Sequence, residues 1–155
     1  MKGNEKIIDV LNFLLAEELT AVNQYMVHAE MCDNWGYKRL AEYIEKRAIT
    51  EMKHAEKLIA RLLFLEGIPI VSHLHPIHIG ADVQAQFKND QASEEGAVKA
   101  YNEAVKLAYD LSDGGTRILL ESILKDEEEH LDWLEMQNDQ ITHMGFKMYL
   151  VEQTD

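Results

Sequence analysis

Apolar residues recur every three to four positions from Ile7 to Ala29, and Asn34-Trp35-Gly36 then supplies a stop and a turn, the pattern of a long amphipathic helix. A second periodic segment runs from Lys38 to Leu65, and Gly67 and Pro69 follow it as C-terminal signals. The first two helices therefore form a hairpin. Ile68 to Ile79 carries no periodicity, and it is long enough to cross a bundle end to end, as a connection between parallel neighbours requires. A third helix is predicted from Asp82 to Leu111. Asp113-Gly114-Gly115 should break the chain before a fourth helix from Thr116 to His143, and Gly145 sets off a short last segment, Phe146 to Glu152. The expected fold is all-α: an antiparallel four-helix bundle with a long crossover between helices 2 and 3 and a short fifth C-terminal helix. Residues 1–155 fall within the usual size of one domain.

The chemistry lies where this pattern is violated. The inward stripe of helix 1 reads Leu11, Leu14, Glu18, Val22, Tyr25, Ala29, with Glu18 in line with the core and Glu17 pointing elsewhere. Helix 2 repeats the anomaly with Ile44, Ala48, Glu51, His54 or Ala55, Leu58, Leu62. Helix 3 repeats it with Phe87, Gln91, Glu94, Val98, Tyr101, Val105, and helix 4 with Leu120, Ile123, Glu127, His130, Leu134. Glu128 and Glu129 fall off the stripe and belong to a solvated face.

Glu51-Met52-Lys53-His54 and Glu127-Glu128-Glu129-His130 are both Glu-x-x-His, a spacing that puts carboxylate and imidazole on one helix face. Shifting Glu18, Glu51 and His54 by 76 positions lands on Glu94, Glu127 and His130. The match implies two helical hairpins related by an approximate twofold, each giving one lone glutamate and one Glu-x-x-His to a shared centre. Four buried carboxylates would each cost several kcal/mol without a counter-charge. Two divalent ions supply it, and oxygen with imidazole donors suits iron, manganese or zinc, in pairs commonly about 3.5–4 Å apart. Tyr25 points toward the same centre, where packing and electron donation are both open to it. His28, one turn past it, reads as a hydrogen-bonded structural histidine. His73, His75 and His78 are three closely spaced histidines in the crossover, read as solvated rather than as ligands.

Composition narrows the class. Only Pro69 and Pro76 are present and Cys32 is the single cysteine, so no intrachain disulfide forms. Charges interrupt Met1 to Val22 where a secretory signal would be apolar, which leads to the expectation of a cytoplasmic protein. The longest uncharged run, Gly67 to Ala81, is short of the roughly 20 residues of a membrane span and contains three histidines and two prolines. A formal net charge of −13 disfavours a nucleic-acid surface and is compatible with attracting cations.

The six-residue ligand set has the form described for ferritin-like di-iron proteins, and the chain closely resembles the bacterioferritins. The resemblance is carried by Met1-Lys2-Gly3, by Glu18 to Tyr25 with its Asn23-Gln24-Tyr25, and by Glu51-Met52-Lys53-His54-Ala55. Phe64-Leu65-Glu66-Gly67 and Asp126-Glu127-Glu128 with His130-Leu131-Asp132-Trp133-Leu134 extend it over nearly the whole chain. The resemblance implies a shell of twenty-four subunits built of dimers. It also implies a ferroxidase centre at Glu18, Glu51, His54, Glu94, Glu127 and His130, with O2 or H2O2 as oxidant, and a ferric mineral inside. It further implies a b-type haem between two subunits, with Met52 from each as axial ligand, conducting electrons from a ferredoxin-type partner for iron release. The residues alone show less. Ile49, Met52, Ile59 and Leu63 form a second apolar stripe on helix 2, which reads as a dimer face with Met52 packed in it. The chain departs from the family at Lys46 and Thr50, where some bacterioferritins carry a histidine and an aspartate for an extra iron site on the cavity wall. That extra site is left open.

Two rival functions remain on the sequence. A di-iron peroxidase or oxygenase is one, although a single cysteine leaves no room for an attached rubredoxin module. A haem-carrying structural shell subunit is the other, and it predicts replaced glutamates where all six ligands are present. A DNA-protecting mini-ferritin is disfavoured, because its metal site is shared between subunits.

Overall fold

The computed structural model describes residues 1–155. It contains α1 (Glu5–Asn34), α2 (Lys38–Phe64), α3 (Val83–Asp110), α4 (Gly114–Met144) and the short α5 (Phe146–Val151), with no strand. α1 packs along α2 and α3 along α4, and contacts between α1 and α3 join the two hairpins. None of the helices is long and apolar enough to cross a membrane.

Helix starts follow local hydrogen-bonding chemistry. Asn4, Asp82 and Asp113 each turn a side-chain oxygen back onto a backbone N–H of the first turn, from Lys6, Ala85 and Thr116 respectively. Here the expected break is corrected. Asp113 is the N-cap, so Gly114 and Gly115 form the first turn of α4 instead of preceding it. Gly115 is needed for space rather than for flexibility, since a Cβ there would meet Arg61 Nη2 at 2.7 Å. That guanidinium bonds Thr116 Oγ1 and Asp113 Oδ1, both at 2.9 Å, and ties α2 to the start of α4.

The crossover is strapped along α1. Asn12 bonds the backbone of Ile68 and Ile70, Thr20 accepts from the His75 N–H, Gln24 from the His78 N–H, and His28 Nε2 from the Gly80 N–H. These partners stand on one side of α1 at multiples of four residues, so the crossover runs the length of the bundle and delivers α3 antiparallel to α1. His28 is fully buried, with Nδ1 2.9 Å from Asp90 Oδ1, and has the structural role expected of it. His75 Nδ1 lies 2.5 Å from Glu17 Oε1 and its ring packs on Phe13 and His73.

Two apolar cores fill the bundle. One gathers Leu11, Leu14, Leu58, Leu62, Tyr101, Leu120 and Ile123, and the other Tyr25, Ile44, Phe87, Leu134 and Tyr149. α5 closes the second, where the Tyr149 hydroxyl donates to Gln137 Oε1 at 2.6 Å. On α3 the inward face is Phe87, Asp90, Glu94, Tyr101, Ala104 and Ala108, while Gln91, Val98 and Val105 are only half-buried. The stripe drifts to the side that carries alanines, where the helix can approach its neighbours closely.

Candidate metal centre

Between the two cores lies a belt of charge. Glu18, Glu51, His54, Glu94, Glu127 and His130 are all at most 3% exposed, and α1 to α4 each contribute to it. Glu18, Glu51, His54 and Glu127 bring ligand atoms within 4.8 Å of one another, and so do Glu51, Glu94 and His130. Glu51 is common to both groups. All six residues singled out by spacing thus converge inside one chain.

The approximate twofold extends beyond these six. The Tyr25 hydroxyl donates to Glu94 Oε1, and the Tyr101 hydroxyl, 76 positions on, donates to Glu18 Oε1 at 2.5 Å. Each lone glutamate therefore spends one oxygen on a tyrosine. The other oxygen, Oε2 in both Glu18 and Glu94, is buried with no hydrogen-bond partner. A buried bare carboxylate oxygen is costly, and a cation in the belt is what would satisfy it. With the imidazoles and shared carboxylate, the donor set fits two divalent ions.

The electrostatics agree. Burial, followed by the Glu51 and Glu127 carboxylates, pushes Glu18 well above the usual carboxylate range. Burial also raises Glu94, to about 7, and Glu127. Burial opposes a charge on His54, but the Glu127, Glu18 and Glu51 carboxylates around it outweigh this and push the imidazole up to about 12, with Glu18 Oε2 3.5 Å from Nδ1 and outside hydrogen-bond geometry. His54 Nδ1 faces Glu127 Oε1 at 3.1 Å and Glu51 Oε2 at 3.2 Å, while Nε2 lies 2.8 Å from Asp126 Oδ2. A carboxylate behind a ligating imidazole fixes its orientation and raises its basicity.

His130 sits differently. Its Nδ1 is 2.9 Å from Glu94 Oε1, and its ring is held among Tyr25, Tyr43 and Trp133. Burial and then Arg47 hold it down to about 4, so it is neutral and free to ligate at neutral pH. Asp126 has Thr50 as its counterpart 76 positions earlier, so no carboxylate stands behind His130 on that pattern.

Three participants were not singled out from the stripes: Arg47 and Asp126, and Tyr101, which lies on the helix 3 stripe but without a role assigned to it. Arg47 is 9% exposed and bonds both Glu51 and Glu127. The signals for two of them were present. The 76-residue offset carries Tyr25 to Tyr101, and Asp126 adjoins a ligand. Arg47 precedes Glu51 by four residues, a spacing more often found on solvated faces. Met52 is not in the belt. It is 42% exposed on the outer side of α2 near Ile49 and Leu63, which are 47% and 60% exposed, while Ile59 is partly buried against the core.

Residues 8–144 match the model of the ferritin-like domain. The chain is 40% identical over 151 residues to a bacterioferritin of Rhodobacter capsulatus, covering 96% of this chain and 94% of that one. It is 40% identical over 149 residues to a bacterioferritin of Brucella melitensis, with 96% and 92% covered. A bacterioferritin of Mycobacterium avium is 37% identical over 149 residues, with 96% and 94% covered. With near-complete coverage by relatives of one kind, and an all-helical fold to match, the chain belongs to the bacterioferritins of the ferritin-like family.

Proposed function

We propose that the protein stores iron and is a ferroxidase, oxidising Fe(II) to Fe(III) at the intrachain centre of Glu18, Glu51, His54, Glu94, Glu127 and His130. The observation that carries this reading is the pair of bare, buried oxygens on Glu18 and Glu94, aimed into a belt that two Glu-x-x-His motifs complete. Two Fe(II) ions held there as substrate supply two electrons, which reduce O2 to H2O2 or H2O2 to water.

The protein's own part is binding, orientation and proton handling. Glu51, common to both ligand groups, and Glu127, which shares His54 and Arg47 with it, would hold the two ions as a pair. Tyr101 and Tyr25 fix Glu18 and Glu94 so that one oxygen of each is always presented. Asp126 Oδ2 accepts a hydrogen bond from His54 Nε2–H, which leaves Nδ1 as the nitrogen turned inward. Because burial raises Glu18, Glu94 and Glu127, ion binding expels protons from them. The apolar cores above and below keep bulk water from the charge transfer. Tyr25 is assigned first to positioning Glu94, with electron donation as its second possible use.

The family resemblance supports a closed shell of twenty-four subunits built of dimers, with mineral inside. The exposed Ile49, Met52 and Leu63 on α2 support a contact between two copies there. In that contact Met52 would hold a b-type haem, whose chemistry would be electron delivery for iron release from a ferredoxin-type reductant. Stopped-flow mixing of metal-free protein with Fe(II) and O2 or H2O2 tests the reading. A fast ferric phase saturating at about two irons per chain and absent in Glu127→Ala supports it. A fast phase that survives in the variant contradicts the six-residue centre, and no fast phase in wild type favours a structural, haem-carrying subunit.

A further inference from the structure

Both oxygens of the two central carboxylates are taken, and they are taken by different partners. Glu51 Oε2 and Glu127 Oε1 face His54 Nδ1 at 3.2 and 3.1 Å. Glu51 Oε1 lies 2.9 Å from Arg47 Nε and 2.8 Å from Nη2, and Glu127 Oε2 lies 3.1 Å from Nη2. Arg47 therefore holds the oxygens that an ion beside Glu94 and His130 would need. Its counterpart under the 76-residue offset is Ile123, a fully buried core residue, so the other half of the centre has no such cation.

A guanidinium cannot give up its proton to make way for a metal. It can only move. With four ionised carboxylates in the belt, Arg47 leaves −3; one divalent ion brings this to −1, and a second brings it to +1 with the guanidinium in place or to zero once it has left the carboxylates.

We infer that Arg47 is a resident counter-ion that imposes an order on metal loading. The first ion enters the half formed by Glu18, Glu51, His54 and Glu127. The second, beside Glu94 and His130, binds only as Arg47 swings off Glu51 and Glu127, and so binds more weakly. The inference rests on the di-metal reading above and adds the residue that makes its two halves unequal.

The test is a Co(II) titration of metal-free wild type, Arg47→Met and Arg47→Lys, followed anaerobically by calorimetry and by Co(II) absorbance, with no turnover involved. Wild type should show two steps separated by about tenfold or more in affinity, where tenfold corresponds to ~1.4 kcal/mol. Arg47→Met keeps the aliphatic stem and removes the charge. It should tighten the second step by about tenfold and move the first by a few-fold at most. Arg47→Lys, which keeps the charge but loses the second contact that Nε makes with Glu51, should fall between. Equal steps in wild type, or a second step that ignores both substitutions, overturns the inference while leaving the di-metal reading intact. Absence of any binding that depends on Glu51 or Glu127 overturns the di-metal reading itself. If Arg47→Met does not fold without metal, crystals of wild type soaked in Zn(II) decide. Two ions with the guanidinium withdrawn from both carboxylates uphold the inference, and two ions with it in place overturn it.

Discussion

The half of the centre around His54 and the half around His130 present the same ligands at the same spacing, yet their surroundings differ. His54 has Asp126 behind it and three carboxylates in front, and its imidazole holds a proton in metal-free protein. His130 has aromatic rings around it, Thr50 where the first half has Asp126, and Arg47 beside its shared carboxylates. Charge in one half is balanced by a proton, which exchanges readily for a metal. In the other it is balanced by Arg47, which on the proposed reading moves aside when a second ion binds. On that reading the same residues at the same spacing would not make equal sites, because the surrounding layer sets affinity and order.

The strongest way to break the comparison is to remove what the halves share. Glu51→Ala takes one carboxylate from both ions, and the initial rate of Fe(II) oxidation should fall by about 100-fold or more, beyond the 10–100-fold usual for an outer-layer partner. Glu18→Ala, confined to one half, should leave a residual Co(II) step that Glu51→Ala abolishes. Retention of the fast rate in Glu51→Ala would show that the halves work independently.

Asp126→Asn sharpens the comparison next. Loss of the charge behind His54 should weaken the first Co(II) step by about 10–100-fold. Thr50→Asp, which restores the missing partner on the other side, should strengthen the second. Equal effects of Asp126→Asn on both steps would deny the asymmetry.

A pH test follows from Glu94. Burial lifts its folded value to about 7, above the 4.5 of an unfolded glutamate. Its contribution to metal-free stability is therefore complete below about 4.5 and lost as pH rises through about 7. Burial lowers His130 to about 4 from 6.5, so its contribution runs the other way and is lost as pH falls below about 6.5. Denaturant unfolding of metal-free Glu94→Gln should accordingly lose about 1–3 kcal/mol less than wild type between about pH 5 and 8. A parallel pH dependence in the two proteins would count against a protonated Glu94.

The smallest effect concerns the tyrosines. Tyr25→Phe and Tyr101→Phe each remove a buried hydrogen bond to a lone glutamate, and each should cost about 1–2 kcal/mol of metal-free stability by thermal or denaturant unfolding. If Tyr25 only positions Glu94, the two variants should also slow oxidation alike. A rate loss confined to Tyr25→Phe, with a tyrosyl radical signal in wild type alone, would assign it the electron-donor role.

The convergence of the six residues was legible because each glutamate interrupts an apolar stripe, and because two stripes repeat the interruption at one offset. Helix order and crossover length were legible for a similar reason, since periodicity stops where the chain leaves the bundle. Gly114-Gly115 misled, because a glycine pair marks a break unless a neighbour such as Arg61 claims the space above it. The straps on the crossover were hidden because Asn12, Thr20 and Gln24 are ordinary polar residues until a second segment lies against them. Arg47 was hidden too. Nothing in local spacing distinguishes an arginine that salts a helix surface from one that turns inward to two buried carboxylates.

The central claim is that one chain holds two ions between these six residues. Crystals of metal-free protein soaked anaerobically in Fe(II), with data at the iron absorption edge, test it most directly. The account predicts two anomalous peaks per chain, one among Glu18, Glu51, His54 and Glu127 and a second among Glu51, Glu94, Glu127 and His130. The absence of both peaks, or iron found only elsewhere, such as at His73, His75 and His78, would contradict it.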